Sequence, residues 1–245
     1  VSSTTWTRTA VASSATRVGL TAWRAVEAQH RVSTIRLVDT LDEQAELEQL
    51  LEGSKPALPQ APAGLHWLLA TPFRYPPLPQ GSRFRGPTDP GVFYGAEVRR
   101  TACAELGYWR WRFLLDSPAL AALEALPQTL FTAHIEALAV DLREPPLLRD
   151  ADAWTHPQDY TACQSFARRA RDAGVTAIRY ASVRDPQHGG CVAVLSPAVF
   201  VPGELQEQAW RLTVTRARVF WHRDSALHGE TFEFPTAAWH GGSPA

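Results

Sequence analysis

Between residues 56 and 90 the chain carries nine of its 19 prolines. Proline fixes φ and has no amide donor, so neither a long helix nor a central strand passes through such a stretch. A connection of this length in a compact domain is either a linker or a functional loop. A linker would be polar, whereas this segment holds Leu65, Trp67, Leu68, Leu69, Phe73 and Tyr75. It must pack onto something. With Arg74, Arg83 and Arg85 in the same stretch, it reads as a structured loop beside a functional site.

The flanking segments are more regular. Upstream, Val32–Val38 is strand-like, and Thr40-Leu41-Asp42-Glu43 has the form of a capping box. Leu47, Leu50 and Leu51 follow on one stripe, and Gly53 and Pro56 end that helix. Downstream, strands are predicted at 91–95, 130–142, 175–183, 191–195, 211–214 and 218–221. Helices are predicted at 101–113, capped by Thr101, from Ser117-Pro118 to Pro127, and at 159–173, closed by Gly174. The order has no βαβ rhythm, so a doubly wound parallel sheet is disfavoured. An α+β domain with mostly antiparallel sheets is expected.

At 245 residues and 45% hydrophobic content the chain can build one large core. Its formal net charge of -1 disfavours a general nucleic-acid binder, which relies on phosphate neutralisation. Lys55 is the single lysine among 24 basic residues, a bias that base composition explains as well as function does. Cys103, Cys163 and Cys191 are sparse and far apart, as in a reducing compartment rather than a disulfide framework. No apolar run is long enough to span a bilayer. Residues 1–20, rich in Ser, Thr and Ala, lack a signal peptide's basic start and apolar stretch and read as a flexible leader. The expected protein is cytoplasmic, with a domain over 21–204 and a C-terminal strand extension over 205–245.

Several chemistries lack their motifs. There is no phosphate-binding P-loop, no Gly-x-Gly-x-x-Gly fingerprint and no Gly-x-Ser-x-Gly elbow. The eight histidines show no His-x-His or His-x-x-x-His spacing, so no metal is expected. The informative segment is 81–105, GSRFRGPTDPGVFYGAEVRRTACAE. Arg83 precedes Tyr94 by 11 residues, and Tyr94 precedes Glu105 by 11. A guanidinium can grip phosphate, an aromatic ring can stack on a flat heterocycle, and a carboxylate can stabilise an oxocarbenium ion. Each residue also has an ordinary reading, as a structural charge, a core aromatic and a helix-dipole partner. Spacing alone leaves the two open.

The same stretch resembles the signature of the RES domain family, named for its Arg, Glu and Ser. The matching residues are Gly81-Ser82-Arg83-Phe84, then Gly91 to Tyr94, then Ala102 to Glu105. Ser182 closes the run Gly174–Ser182 ahead of Gly189 and Gly190, and Ala22-Trp23-Arg24 resembles the family's opening strand. Ser82 stands where the family has a second Gly, Phe84 where it has Trp, and Arg85 where it has a polar residue. The resemblance runs over residues 22–200.

What the resemblance implies is specific. RES proteins are toxins of bacterial toxin–antitoxin pairs, partnered by an antitoxin with an Xre-type helix-turn-helix domain. Their fold is related to the ADP-ribosyltransferase toxins, and they consume NAD by breaking its nicotinamide–ribose bond. Carried onto this chain, Arg83 would bind the NAD diphosphate, with Arg24 as a weaker contact; Arg74, in the proline-dense loop beside the cleft, is read from its position as a second phosphate contact. Tyr94 would stack on nicotinamide or the adjoining ribose. Glu105 would hold the ribose and stabilise the cationic transition state, and Ser182 would bond the nicotinamide side or buttress Glu105. Toxin–antitoxin precedent also implies a homodimer. Two alternatives stand beside this reading: mono-ADP-ribosylation of a host protein, and a non-catalytic nucleotide-binding module.

Overall fold

The structure, a computed structural model, describes residues 6–28, 64–77, 79–225 and 229–242, together with 40, 42, 43, 46, 47 and 50. Thr40 and Glu43 form the expected capping box, each backbone amide donating to the other's side chain at 3.2 Å. Asp42, Glu43, Glu46, Leu47 and Leu50 are helical. The strand expected at 32–38, and the Gly53 and Pro56 stop, lie outside the described residues.

The chain order is α1 (Arg8–Ser13), β1 (Thr16–Glu27), α2 (Trp67–Arg74), β2 (Phe93–Ala96), α3 (Arg99–Leu115) and β3 (Leu123–Asp141). Then come α4 (Ala151–Trp154), α5 (Thr161–Asp172), β4 (Ala177–Ala181), β5 (Gly190–Val194), β6 (Glu207–Val214), β7 (Arg218–Arg223) and β8 (Thr231–Pro235). The sheet order is β1-β2-β5-β4-β3-β6-β7-β8, and β1 also pairs with β3. β1 runs antiparallel to β3 from Thr16↔Ala139 to Glu27↔Gln128 and meets β2 at Trp23↔Ala96. Five strands therefore close on themselves, and β6–β8 extend from the outer half of β3. Among the described residues, only β3 and β4 pair in parallel. This is the expected mixed α+β domain with a mainly antiparallel sheet.

Strand alternation explains the closure. Phe131, Ala133, Ile135, Ala137 and Ala139 of β3 point to one side, where they meet Ala22, Phe93, Ala177, Val192 and Val194. So many alanines let the ring close tightly around its own filling. On the outside, α3 covers β6–β8 through Tyr108, Trp111, Leu114, Trp210, Leu212, Trp221 and Phe234. A third group, including Phe84, Cys163, Phe166, Tyr180 and Cys191, joins α1 and α5 to the outer face of β4 and β5.

Several expectations are corrected. The flexible leader is overturned from Trp6 onward, because two apolar side chains override a disorder-like composition. Trp6 is buried edge-on against Phe166 and donates to Asp150 at 2.8 Å, and Val11 is fully buried. Thr7 caps α1 by accepting from Ala10 N. Inside the proline-dense stretch, α2 tolerates Pro72 near its end. The helix expected after Pro118 gives way to the start of β3, which pairs with β6 instead. α3 begins at Arg99 rather than at Thr101, whose hydroxyl is engaged elsewhere. In the same helix Tyr108 and Trp111 are buried while Trp109 and Phe113 are exposed. Among the described residues, no helix is long and apolar enough to cross a membrane.

Candidate active site

Glu105 lies in the second turn of α3 and faces the loop that joins β4 to β5. That loop begins with Ser182, which is fully buried. The Ser182 hydroxyl donates to Glu105 Oε1 at 2.6 Å and accepts from the Arg184 and Asp185 amides at 3.1 and 2.9 Å. Asp185 is buried too and takes the Thr101 hydroxyl at 2.7 Å and the Arg100 guanidinium. Gly189 is needed here, since a Cβ would sit 2.1 Å from Thr101 Oγ1. Helix and loop are thereby locked together just where the carboxyl and hydroxyl meet.

Burial pushes the Glu105 carboxyl above the ordinary carboxylate range. The Ser182 bond and the charges of Arg83 and Arg184 oppose that rise, and Asp185 adds to it. The site thus holds a desolvated carboxyl whose ionised form is kept by one hydroxyl and two guanidiniums. Such a carboxylate stabilises developing positive charge far better than one in water.

Arg83 is carried on the tight turn Ser82–Arg85, closed by Ser82 N to Arg85 O at 2.7 Å and Arg85 N to Ser82 O at 3.1 Å. Gly81 enters the turn at φ +70, and a Cβ there would sit 2.2 Å from Arg85 O. Phe84 anchors the turn, fully buried against Tyr180. Tyr94 fixes it from β2: its hydroxyl accepts from Phe84 N at 2.9 Å and lies 2.7 Å from Ser82 Oγ. The departure from Gly at position 82 therefore supplies a side-chain bond to Tyr94. Burial raises the Tyr94 phenol to about 12. The Arg83 guanidinium donates to the carbonyls of Trp154 and His156 at 2.8 and 3.0 Å and lies 4.7 Å from the Tyr160 ring.

Arg83, Tyr94, Glu105 and Ser182 thus come from one turn, one strand, one helix and one loop. Arg24 on β1 approaches the same strand from the other side, donating to Tyr94 O at 2.8 Å with its guanidinium 4.8 Å from the Phe93 ring. Burial lowers its pKa to about 10, and its Nε has no hydrogen-bond partner. Arg74 ends α2, whose Leu68, Leu69 and Phe73 pack into the ring interior rather than beside Tyr94.

Two residues were missed. Arg184 is buried, lies 3.7 Å over the Tyr108 ring, and donates through Nη2 to Pro157 O at 2.5 Å and to the Tyr160 hydroxyl at 3.3 Å. Tyr160, just before α5, sits between Arg184 and Arg83. The available signal was local: Arg184 follows Ser182 by two residues, in a loop that also carries Asp185.

No curated protein matches the chain. A chain in the crystal structure of the M. tuberculosis MbcT–MbcA toxin–antitoxin complex is similar at 15% identity and a TM-score of 0.48, covering 85% of this chain and 90% of that one. The family model of the RES domain matches residues 57–215. That match begins later and ends later than the resemblance read from the motifs, leaving Arg24 outside and taking in β6. It includes Arg74, Arg83, Tyr94, Glu105 and Ser182, and since it spans more than half of the molecule, the chain belongs to the RES domain family.

Proposed function

We propose that this protein cleaves the nicotinamide–ribose bond of NAD and serves as the toxin of a bacterial toxin–antitoxin pair. The observation that carries the reading is the bond from buried Ser182 to half-buried Glu105 under the charges of Arg83 and Arg184. In NAD the nicotinamide ring is cationic. When the bond from ribose C1′ to the ring nitrogen breaks, its electron pair leaves with neutral nicotinamide and positive charge moves to the ribose. Ionised Glu105 stabilises that charge, and Ser182 holds the carboxylate in place. Water or inorganic phosphate then bonds to C1′, and in the case of water one proton is released.

The remaining residues serve binding. Arg83 uses Nη1 on two carbonyls, which orients its fork and leaves other N–H groups for the diphosphate. Arg24, on the other side of β2, and Arg74, at the end of α2, stand apart from Arg83 and take no part in this binding. The Tyr94 hydroxyl is committed to the Arg83 turn, so its contribution to nicotinamide or ribose is the half-buried ring face. The partner inferred from the family is an Xre-type helix-turn-helix antitoxin, and the toxin is inferred to be a cytoplasmic homodimer.

Purified protein should consume NAD and release free nicotinamide, with Glu105→Gln losing at least a hundredfold in rate, the order expected for removing one charge-stabilising group. Free ADP-ribose or its 1-phosphate identifies the acceptor as water or phosphate. A protein that gains the mass of ADP-ribose would replace this reading with protein modification. Undiminished NAD, or a Glu105→Gln variant as fast as the parent, would end it.

A further inference from the structure

The segment between α4 and α5 is gripped twice. Arg83 donates to Trp154 O and His156 O, and Arg184 donates to Pro157 O. The two arginines come from different parts of the fold, one from the 82–85 turn and one from the β4–β5 loop. One side chain touches both. Tyr160 lies under Arg83, with the guanidinium carbon 4.7 Å from the ring centroid, and its hydroxyl accepts from Arg184 Nη2 at 3.3 Å while facing Pro157 O at 3.4 Å.

We infer that Tyr160 is a positioning residue for the active site: its ring seats Arg83 and its hydroxyl aims Arg184, so that both guanidiniums bear on Glu105. The inference deepens the proposed NAD-cleaving reading and rests on it. The chemistry divides within one side chain. A ring face attracts a guanidinium through its quadrupole, and a phenol oxygen accepts a hydrogen bond. Phe at this position keeps the first and loses the second, whereas Leu loses both. Half-buried at the mouth of α5, Tyr160 can be changed without opening a core cavity.

The electrostatic consequence is specific. The groups that face the Glu105 carboxyl are Ser182, Arg184 and Asp185 from the β4–β5 loop, Arg83 from its turn, Tyr180 on β4 and Cys191 on β5. Only the arginines are cations. A displaced Arg184 leaves Glu105 more easily protonated, so the acid limb of kcat/KM moves to higher pH.

The test measures nicotinamide release from NAD across pH for the parent, Tyr160→Phe, Tyr160→Leu, Arg184→Ala and the double variant Tyr160→Phe/Arg184→Ala. Tyr160→Phe should lose about tenfold in kcat/KM, the size of one charged hydrogen bond. Its acid limb should shift upward, and Tyr160→Leu should lose more. The double variant should be no slower than Arg184→Ala alone, because the hydroxyl acts through that guanidinium. Additive losses, or a Tyr160→Phe pH profile that overlays the parent's, would overturn the inference. Glu105→Gln in the same series keeps the two readings apart. If it retains full activity, the proposed reaction site is wrong; if it is inactive while Tyr160 variants match the parent, only the positioning role fails.

Discussion

Ser182 and Glu105 are joined by a hydroxyl–carboxylate bond of 2.6 Å whose donor has no other orientation open to it. A serine hydroxyl has one proton and two lone pairs. Both lone pairs face backbone amides, those of Arg184 and Asp185, so the proton can only point at Glu105. The loop sets the hydroxyl, and the hydroxyl sets the carboxylate.

Ser182→Ala removes all three bonds at a fully buried position. It leaves two amides without their acceptor, and a cost of about 1–3 kcal/mol follows for each buried group so stranded. It also removes the bond that favours ionised Glu105, so the acid limb of NAD cleavage should move to higher pH. Urea unfolding checks the first effect and a pH series of kcat/KM the second. A destabilised variant with an unmoved acid limb would restrict Ser182 to architecture.

Glu105→Gln should separate activity from stability. Burial raises the carboxyl in the folded state above its unfolded value, so the folded chain holds this proton to higher pH than the unfolded chain does. The stabilising contribution of the protonated form is complete below the unfolded pKa and is lost as pH rises through the folded one. Gln does not titrate and can still accept from Ser182. The melting temperature of the variant minus that of the parent should therefore grow from pH 4 to pH 8. A difference that is flat or shrinks over this window contradicts the desolvated carboxyl.

Tyr94→Phe keeps the ring and deletes the oxygen that ties down the Arg83 turn. The Phe84 amide and the Ser82 hydroxyl lose their partner, at a cost of about 1–3 kcal/mol. The turn that carries Arg83 loosens, so the KM for NAD should rise more than kcat falls. In the parent the phenol, raised to about 12, should stay neutral in an ultraviolet titration through pH 11. A phenolate appearing at this position near pH 10 would show that the oxygen is exposed to water.

The pattern of legibility follows the range of the interactions. Local devices could be read from neighbours in sequence: the Thr40–Glu43 box, the core of α3, and the strands containing Leu130–Asp141 and Cys191–Val194. Glu105 and Ser182 were visible as motif letters, and their side chains meet in a 2.6 Å bond. What no local pattern held was the partner of each arginine. Arg83 is oriented by carbonyls at 154 and 156 and Arg184 by one at 157, contacts made only when the β3–β4 crossover folds back over the sheet. Trp6 was missed for a related reason. Its value lies in Phe166 and Asp150, far along the chain, while its neighbours in sequence are small polar residues.

The C-terminal segment, beyond the residues that match the family, is held to the β4–β5 loop. Trp239 is buried, donates from Nε1 to Arg184 O at 2.7 Å, and lies edge-on to Tyr108 at 5.6 Å. Tyr108 in turn carries the Arg184 guanidinium on its ring. One tryptophan from the tail therefore fixes both the backbone and the side-chain seat of a cation that acts on Glu105. Trp239→Ala should cost about 3–5 kcal/mol through the lost packing. Trp239→Phe retains most of the ring contacts and strands only the Arg184 carbonyl, at about 1–3 kcal/mol. Assayed well below its melting temperature, Trp239→Phe should still show a reduced kcat/KM and an acid limb shifted to higher pH, because Arg184 has lost its anchor. Parental kinetics in that variant would mean that β8 and the turn after it complete the fold without reaching the chemistry.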